Sequence, residues 1–64
     1  MDIQRVKFNL GRQVLFRGKP YRMTACVMRP GNGGFYFQAE LKDAKAESSL
    51  VIADLKEVEE HKND

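Results

Sequence analysis

The side chains that most often carry out catalysis are scarce in this sequence. It contains one cysteine, Cys26, and one histidine, His61, which lies in a charged C-terminal segment. A nucleophile needs a base beside it, and a structural zinc ion needs about four ligands at regular spacing. Neither arrangement can be assembled from these two residues, so we predict no enzymatic activity, no cofactor and no metal site. Cys26 is instead predicted to be a buried apolar residue.

One glycine-rich segment could hold a phosphate through converging backbone N–H groups, namely residues 31–34 with the sequence Gly-Asn-Gly-Gly. A nucleotide-binding P-loop ends in Gly-Lys-Ser or Gly-Lys-Thr and continues into a helix. Both features are missing here, and Arg29 and Pro30 directly precede the segment. We therefore predict an ordinary hairpin turn at this position.

Basic residues are concentrated in the first half of the chain. Residues 1–30 carry seven basic residues and one acidic residue, whereas residues 31–64 carry four basic and eight acidic residues. Since cations neutralise phosphates and aromatic rings stack on bases, the first half predicts weak nucleic-acid binding. The candidate residues are Arg12, Arg17, Lys19, Arg22, Arg29 and Tyr21. The alternative is a solvated face whose charges pair with the acidic second half.

A protein partner is the second functional hypothesis. Tyr36 and Met28 are of types enriched at protein interfaces, and both are predicted on the less apolar face of a sheet. A chain of 64 residues buries little surface, so that dimerisation could supply part of its stability. We therefore keep a protein-interaction or homodimerisation module as the alternative to nucleic-acid binding.

The elements that must position these side chains are predicted to be short strands. Apolar residues alternate with polar ones over several stretches, which is typical of half-buried strands. Turn signals separate these stretches at residues 17–20 and 29–34, where Gly and Pro cluster. The predicted strands contain Val6, Phe8 and Leu10; Val14 and Phe16; residues 21–28; residues 35–41; and a buried segment formed by Leu50, Val51 and Ile52.

The charge around Arg22 depends on the register of the long hairpin between residues 21 and 41. Odd-numbered residues are predicted on the core face of both strands, and paired residues must point to the same face. Opposed residue numbers must therefore sum to an even value. One such register places Arg22 opposite Glu40, and the next places it opposite Lys42.

Together these elements predict a single all-β domain spanning residues 1–64, with residues 60–64 as a frayed tail. Asp54 with Glu57 three residues later predicts a short helical turn near Leu55. The preferred architecture is a small, five-stranded, SH3-like, partly open barrel; the alternative is an antiparallel sheet with a C-terminal helix. No apolar run approaches the 18 or so residues of a membrane span, and no secretory signal is evident, so we expect a cytoplasmic protein without a membrane partner.

The segment of residues 11–24 resembles the opening of the small YodC-like bacterial proteins. The shared features are a glycine, a valine three residues later, an apolar residue two further on, a Gly and Pro turn, and Met-Thr entering the next strand, here Gly11, Val14, Phe16, Gly18, Pro20, Met23 and Thr24. The Cys-x-Trp-Phe element of that family is absent, and Phe-Tyr-Phe at residues 35–37 stands in a comparable place. The resemblance implies an SH3-like hairpin and a bacterial protein, and it implies no activity.

Overall fold

The computed structural model describes residues 1–43, 45–46 and 48–61. Five strands form one antiparallel sheet in the order β4-β3-β2-β1-β5, and the sheet does not close on itself. Their bounds are β1 Gln13–Phe16, β2 Lys19–Gly31, β3 Gly34–Asp43, β4 Leu50–Asp54 and β5 Val58–Glu60. The predicted all-β, five-stranded fold is therefore confirmed.

The helical turn predicted near Leu55 is also confirmed. A 3-10 turn covers Leu55–Glu57 between β4 and β5. The Asp54 side chain accepts a hydrogen bond from the Lys56 N–H at 3.3 Å, which is the N-cap contact that the sequence indicates. Of the predicted frayed tail, Glu60 is ordered at the end of β5, His61 follows it, and residues 62–64 lie outside the described residues.

The predicted N-terminal strand is wrong. A 3-10 turn covers Ile3–Arg5, and the short helix α1 covers Val6–Asn9. Val6 and Asn9 are the buried residues of α1, at the i, i+3 spacing of one helix face, whereas Phe8 is half-exposed. The period-two pattern missed Asn9, whose side-chain amide donates to Arg5 O at 2.8 Å and Glu60 Oε1 at 3.1 Å. Among the helices of the described ranges, none is long and apolar enough to cross a membrane.

The core lies on one face of the sheet, called here the inner face. Its fully buried side chains come from β1, β2, β3 and β5, and α1, β4 and the 3-10 turn complete it. The buried apolar residues are Val6, Val14, Tyr21, Met23, Ala39, Leu41, Ala53, Leu55 and Val58.

Both predicted hairpin turns are confirmed, and each connects its strands with two residues. Arg17 and Gly18 join β1 to β2 with φ of 51° and 78°, the double positive φ of a type I′ turn. Asn32 and Gly33 join β2 to β3, and Gly33 has φ of 81°, a region in which glycine has no steric cost.

A β-bulge at Thr24 divides the long β2–β3 hairpin into two halves. Arg22 pairs with Lys42 and Met23 with Leu41, so the even-sum register is correct before the bulge. Thr24 is the extra residue, and beyond it Cys26 pairs with Ala39, an odd sum. The predicted faces are therefore wrong for the second half of β2, whereas the odd-numbered residues of β3 stay on the core face as predicted.

The change of face after the bulge applies to every later residue of β2. Cys26 and Met28 lie on the inner face, opposite Ala39 and Phe37. Ala25, Val27 and Arg29 lie on the other face, called here the outer face. A single inserted residue has this effect because side chains alternate with a period of two.

Candidate nucleic-acid interface

The bulge at Thr24 brings two of the predicted basic residues to one face. Arg22 has an even number and Arg29 an odd one, so that a regular strand would direct them to opposite faces. Since Thr24 absorbs one residue between them, both lie on the outer face. Six effective steps of roughly 3.3 Å separate them by about 20 Å along β2.

Strand β3 adds a cation and an aromatic ring to the same face. Lys42 is directly opposite Arg22, and Tyr36 is directly opposite Arg29. The outer face of the hairpin therefore carries Arg22 and Lys42 at its base and Arg29 and Tyr36 near its tip. Among the residues that the structure describes, Lys42 and Arg29 have no carboxylate within 4 Å.

The tip end of this surface is held in a defined arrangement. Arg29 Nε donates to Gln38 Oε1 at 2.7 Å, which fixes one edge of the guanidinium and leaves the charge without a counterion in the described part of the chain. The Tyr36 ring lies against Gly31, where an added Cβ would approach Tyr36 Cδ1 to 3.0 Å. The ring is 41% exposed. Because residue 31 has no Cβ, the Tyr36 ring can lie directly against the backbone of β2.

One carboxylate lies between the two ends of the surface. Glu40 is on the outer face, opposite Ala25 on β2 and Ile52 on β4. The Thr24 hydroxyl is 2.9 Å from Glu40 Oε2 and 3.1 Å from Glu40 O. Glu40 is the one acidic side chain on the outer face of β2 and β3, and it lowers the local positive charge.

The other predicted basic residues lie away from this surface. Arg17 lies in the β1–β2 turn and Lys19 begins β2, and the Arg17 guanidinium carbon is 5.1 Å from the Phe16 ring centre. Arg12 lies just before β1, and its carbonyl accepts the Met23 N–H at 3.0 Å. All three side chains are exposed. The six predicted residues therefore do not form a single surface.

Tyr21 belongs to the core. It is 8% exposed, and its ring packs edge-on against Phe16 with centroids 6.1 Å apart. A base cannot stack on a ring in that position, so Tyr36 is the aromatic residue available beside the basic pair. The sequence groups Tyr36 with Met28 in a protein-binding patch because both have even numbers, and the parity change at Thr24, which moves Met28 to the inner face, leaves no evident mark in the sequence.

The structure separates the two residues of the predicted protein-interaction patch. Tyr36 lies on the outer face, whereas Met28 lies on the inner face beyond the core. Met28 is 57% exposed and Phe35, on the same face, is 68% exposed. A single patch containing both Tyr36 and Met28 is not formed.

Within the described ranges, no group of three or more His, Cys, Asp or Glu side chains is placed to hold a metal ion. Cys26 is half-buried, and this burial raises the pKa of its thiol. Among the described residues, an ion pair between Arg5 Nε and Glu60 Oε1, at 2.6 Å, joins the basic first half to the acidic second half.

Comparison with known proteins finds no protein-family model, no curated protein and no solved structure that matches this chain. The resemblance of residues 11–24 to the YodC-like proteins and the SH3-like assignment therefore stay predictions.

Proposed function

We propose that this protein binds single-stranded nucleic acid weakly along the outer face of the β2–β3 hairpin. The observation that carries the proposal is the Thr24 bulge, which brings Arg22 and Arg29 together on the face that also holds Lys42 and Tyr36 of β3. In this proposal the cations contact phosphates, and a base stacks on Tyr36. The protein acts as a binding module and performs no reaction.

A single strand is favoured over a duplex by the combination of charge and ring. The face is a sheet surface without an element that could enter a groove, as a recognition helix does in duplex binders. A half-exposed ring beside a guanidinium suits an unpaired base, because every base has a face that can stack. The two ends of this surface are about 20 Å apart, a length that suits a short, extended nucleic-acid strand lying along β2.

The salt dependence of binding tests the electrostatic part of the proposal. Fluorescence anisotropy with labelled single-stranded DNA and RNA should show affinity that falls as salt rises. Three phosphate contacts on a single strand predict a slope of log K against log salt of about −2. Absence of any salt-sensitive anisotropy change at low ionic strength would refute the proposal.

Charge removal tests which cations are used. Arg22→Ala combined with Arg29→Ala should weaken binding roughly tenfold and flatten the salt dependence. The control is Lys7→Ala, which removes an exposed cation from α1, outside the sheet. An equal loss of binding free energy per removed charge in the double variant and in Lys7→Ala would mean that net charge matters and the outer face does not.

Two neighbouring aromatic residues give a matched test of stacking. Tyr36→Ala removes a ring from the outer face, whereas Phe35→Ala removes a more exposed ring from the inner face. We expect Tyr36→Ala to weaken binding by about tenfold, the cost of one stacked base, and Phe35→Ala to have little effect. A larger loss of binding from Phe35→Ala than from Tyr36→Ala would indicate that a base stacks on the inner face and would contradict the proposed site.

Glu40 offers a variant that should improve binding. Glu40→Gln removes the carboxylate between Arg22 and Arg29 and keeps a side chain that can bond the Thr24 hydroxyl. Affinity at low salt should rise, and the gain should shrink as salt screens the charge. Unchanged affinity would show that the bound nucleic acid does not pass over the centre of the outer face.

A further inference from the structure

The two edges of the sheet differ in how they are protected. Edge strand β5 has three residues, and two of them are Glu59 and Glu60. Edge strand β4 has five residues, Leu50–Asp54, with no proline, no lysine and no bulge. Short length and charge are devices that prevent an edge from pairing with another chain, and β4 lacks them except for Asp54 at its end.

Strand β4 is also more exposed than the sequence predicts. Leu50 and Ile52 are each 51% exposed, so the predicted burial of these two residues is wrong. Both lie on the outer face, opposite Lys42 and Glu40 of β3. Val51 and Ala53 point to the inner face, where Ala53 is buried. The strand thus combines an apolar surface with an edge.

The backbone groups on the free side of β4 follow from its ladder with β3. The Asp43 N–H donates to Ser49 O at 3.4 Å, one step beyond the Lys42 and Leu50 pair. Bonded and non-bonded pairs alternate along an antiparallel ladder. Val51 and Ala53 therefore direct their N–H and C=O groups toward β3. Leu50, Ile52 and Asp54 direct theirs to the free side, where no strand of the described residues pairs.

We propose that β4 pairs antiparallel with β4 of a second copy of this chain, about a two-fold axis at Ile52. In this register Ile52 faces the partner's Ile52, and Leu50 faces the partner's Asp54. All the outward backbone groups of these three residues gain partners. The apolar side chains of both copies meet on the outer face, because paired residues point to the same side. This inference does not rest on the proposed function.

Charge complementarity favours a second copy in this register. Each outer row runs from Lys42 through Leu50 to the partner's Asp54, so each of the two symmetric rows contains one cation and one carboxylate. The two copies of Glu40 are three strand spacings apart, about 14 Å. That distance exceeds the Debye length of about 8 Å at physiological salt. Like charges are therefore not opposed across the new pairing.

The short strand limits the strength of the dimer. Five paired residues on each side bury less surface than a standard interface of roughly 1,600 Å². The dimer is therefore reversible and depends on protein concentration. Sedimentation velocity under reducing conditions should show a monomer at about 10 µM and an increasing dimer fraction toward about 1 mM. A monomer over the whole range would overturn the proposal.

Two lysine variants separate the edge from the rest of the outer face. Ile52→Lys places a charge on the two-fold axis and should keep the protein monomeric, with its circular dichroism spectrum unchanged because Ile52 is half-exposed. Val27→Lys places the same charge on central strand β2, at a residue 40% exposed, and should dimerise like the parent. Loss of the dimer in both variants would place the contact on the sheet face and overturn the edge pairing.

Disulfide trapping tests the register without relying on stability. In a Cys26→Ser background, Ile52→Cys brings two thiols together across the axis, at a Cα separation of about 5.5 Å that suits a disulfide. Leu50→Cys places its thiol about 13 Å along the strand from the partner's, too far for a bond. Mild oxidation should give covalent dimers of the Ile52→Cys variant only. Equal trapping of both variants would overturn the two-fold axis at Ile52.

Discussion

Both halves of the β2–β3 hairpin are antiparallel strand pairs, but they contribute differently to the stability of the fold. Before Thr24, Met23 and Leu41 point to the inner face and are fully buried. After it, the inner face ends in Met28 and Phe35, which are mostly exposed because the core does not extend beneath them. The base of the hairpin thus stabilises the fold, whereas the tip holds side chains outside it.

The largest expected difference between the halves concerns two methionines. Met23→Ala removes a fully buried side chain and should lower the free energy of unfolding by about 3 kcal/mol. Met28→Ala changes an exposed side chain and should alter it by less than about 0.5 kcal/mol. Urea unfolding followed by circular dichroism measures both values.

A domain of this size has a small margin of stability, so Met23→Ala could unfold it completely. Met23→Leu keeps the volume and the apolar character and should cost less than about 1.5 kcal/mol. Similar losses from Met23→Ala and Met28→Ala would contradict the division of the hairpin, because they would mean that the core reaches the tip.

A smaller effect is expected at the junction between the halves. Thr24→Val keeps the shape of the side chain but removes the hydroxyl that contacts Glu40 O and Oε2. The loss should be about 1 kcal/mol, the net contribution of a typical hydrogen bond. Thr24→Ser keeps the hydroxyl and serves as the control in thermal unfolding. If Thr24→Ser loses stability and Thr24→Val does not, the Thr24 methyl group stabilises the bulge and the hydrogen bonds do not.

Much of the fold could be predicted because turns and alternation are local signals. Gly18 and Gly33 have the positive φ that their turns require, and residues around Val14 and Leu41 alternate as half-buried strands do. The N-terminal segment could not be predicted this way, because Val6, Phe8 and Leu10 imitate a strand. The contacts that decide it, such as the Met1 ammonium donating to Leu55 O at 2.9 Å, join residues that are far apart in sequence.

The candidate site was harder to predict than the fold. Arg22 and Arg29 were identified from their charge, and the alternative with Lys42 opposite Arg22 was one of the two registers considered. Tyr36 is predicted on the correct face but is grouped with Met28, which the bulge moves to the inner face. Tyr21 is a candidate because of its ring, although its odd number predicts the core face. A bulge shifts every later residue to the opposite face, and Thr24 has no sequence feature that distinguishes it from an ordinary strand residue.

The smallest expected effect concerns Cys26, the first inner-face residue beyond the bulge. Its half-buried thiol is less solvated than in the unfolded chain, and this desolvation raises its pKa. At a mildly alkaline pH less thiolate is present, so iodoacetamide should alkylate the folded protein several-fold more slowly than the protein in denaturant.

The same shift gives the sign of a weak pH dependence of stability. Because the thiol pKa is higher in the folded state, unfolding releases a proton, and stability falls as the pH rises through the pKa of the unfolded thiol. The Cys26→Ala variant should lack this alkaline decline. Alkylation of the native protein at the denatured rate would contradict the burial of Cys26 and would show that the hairpin opens directly after the bulge.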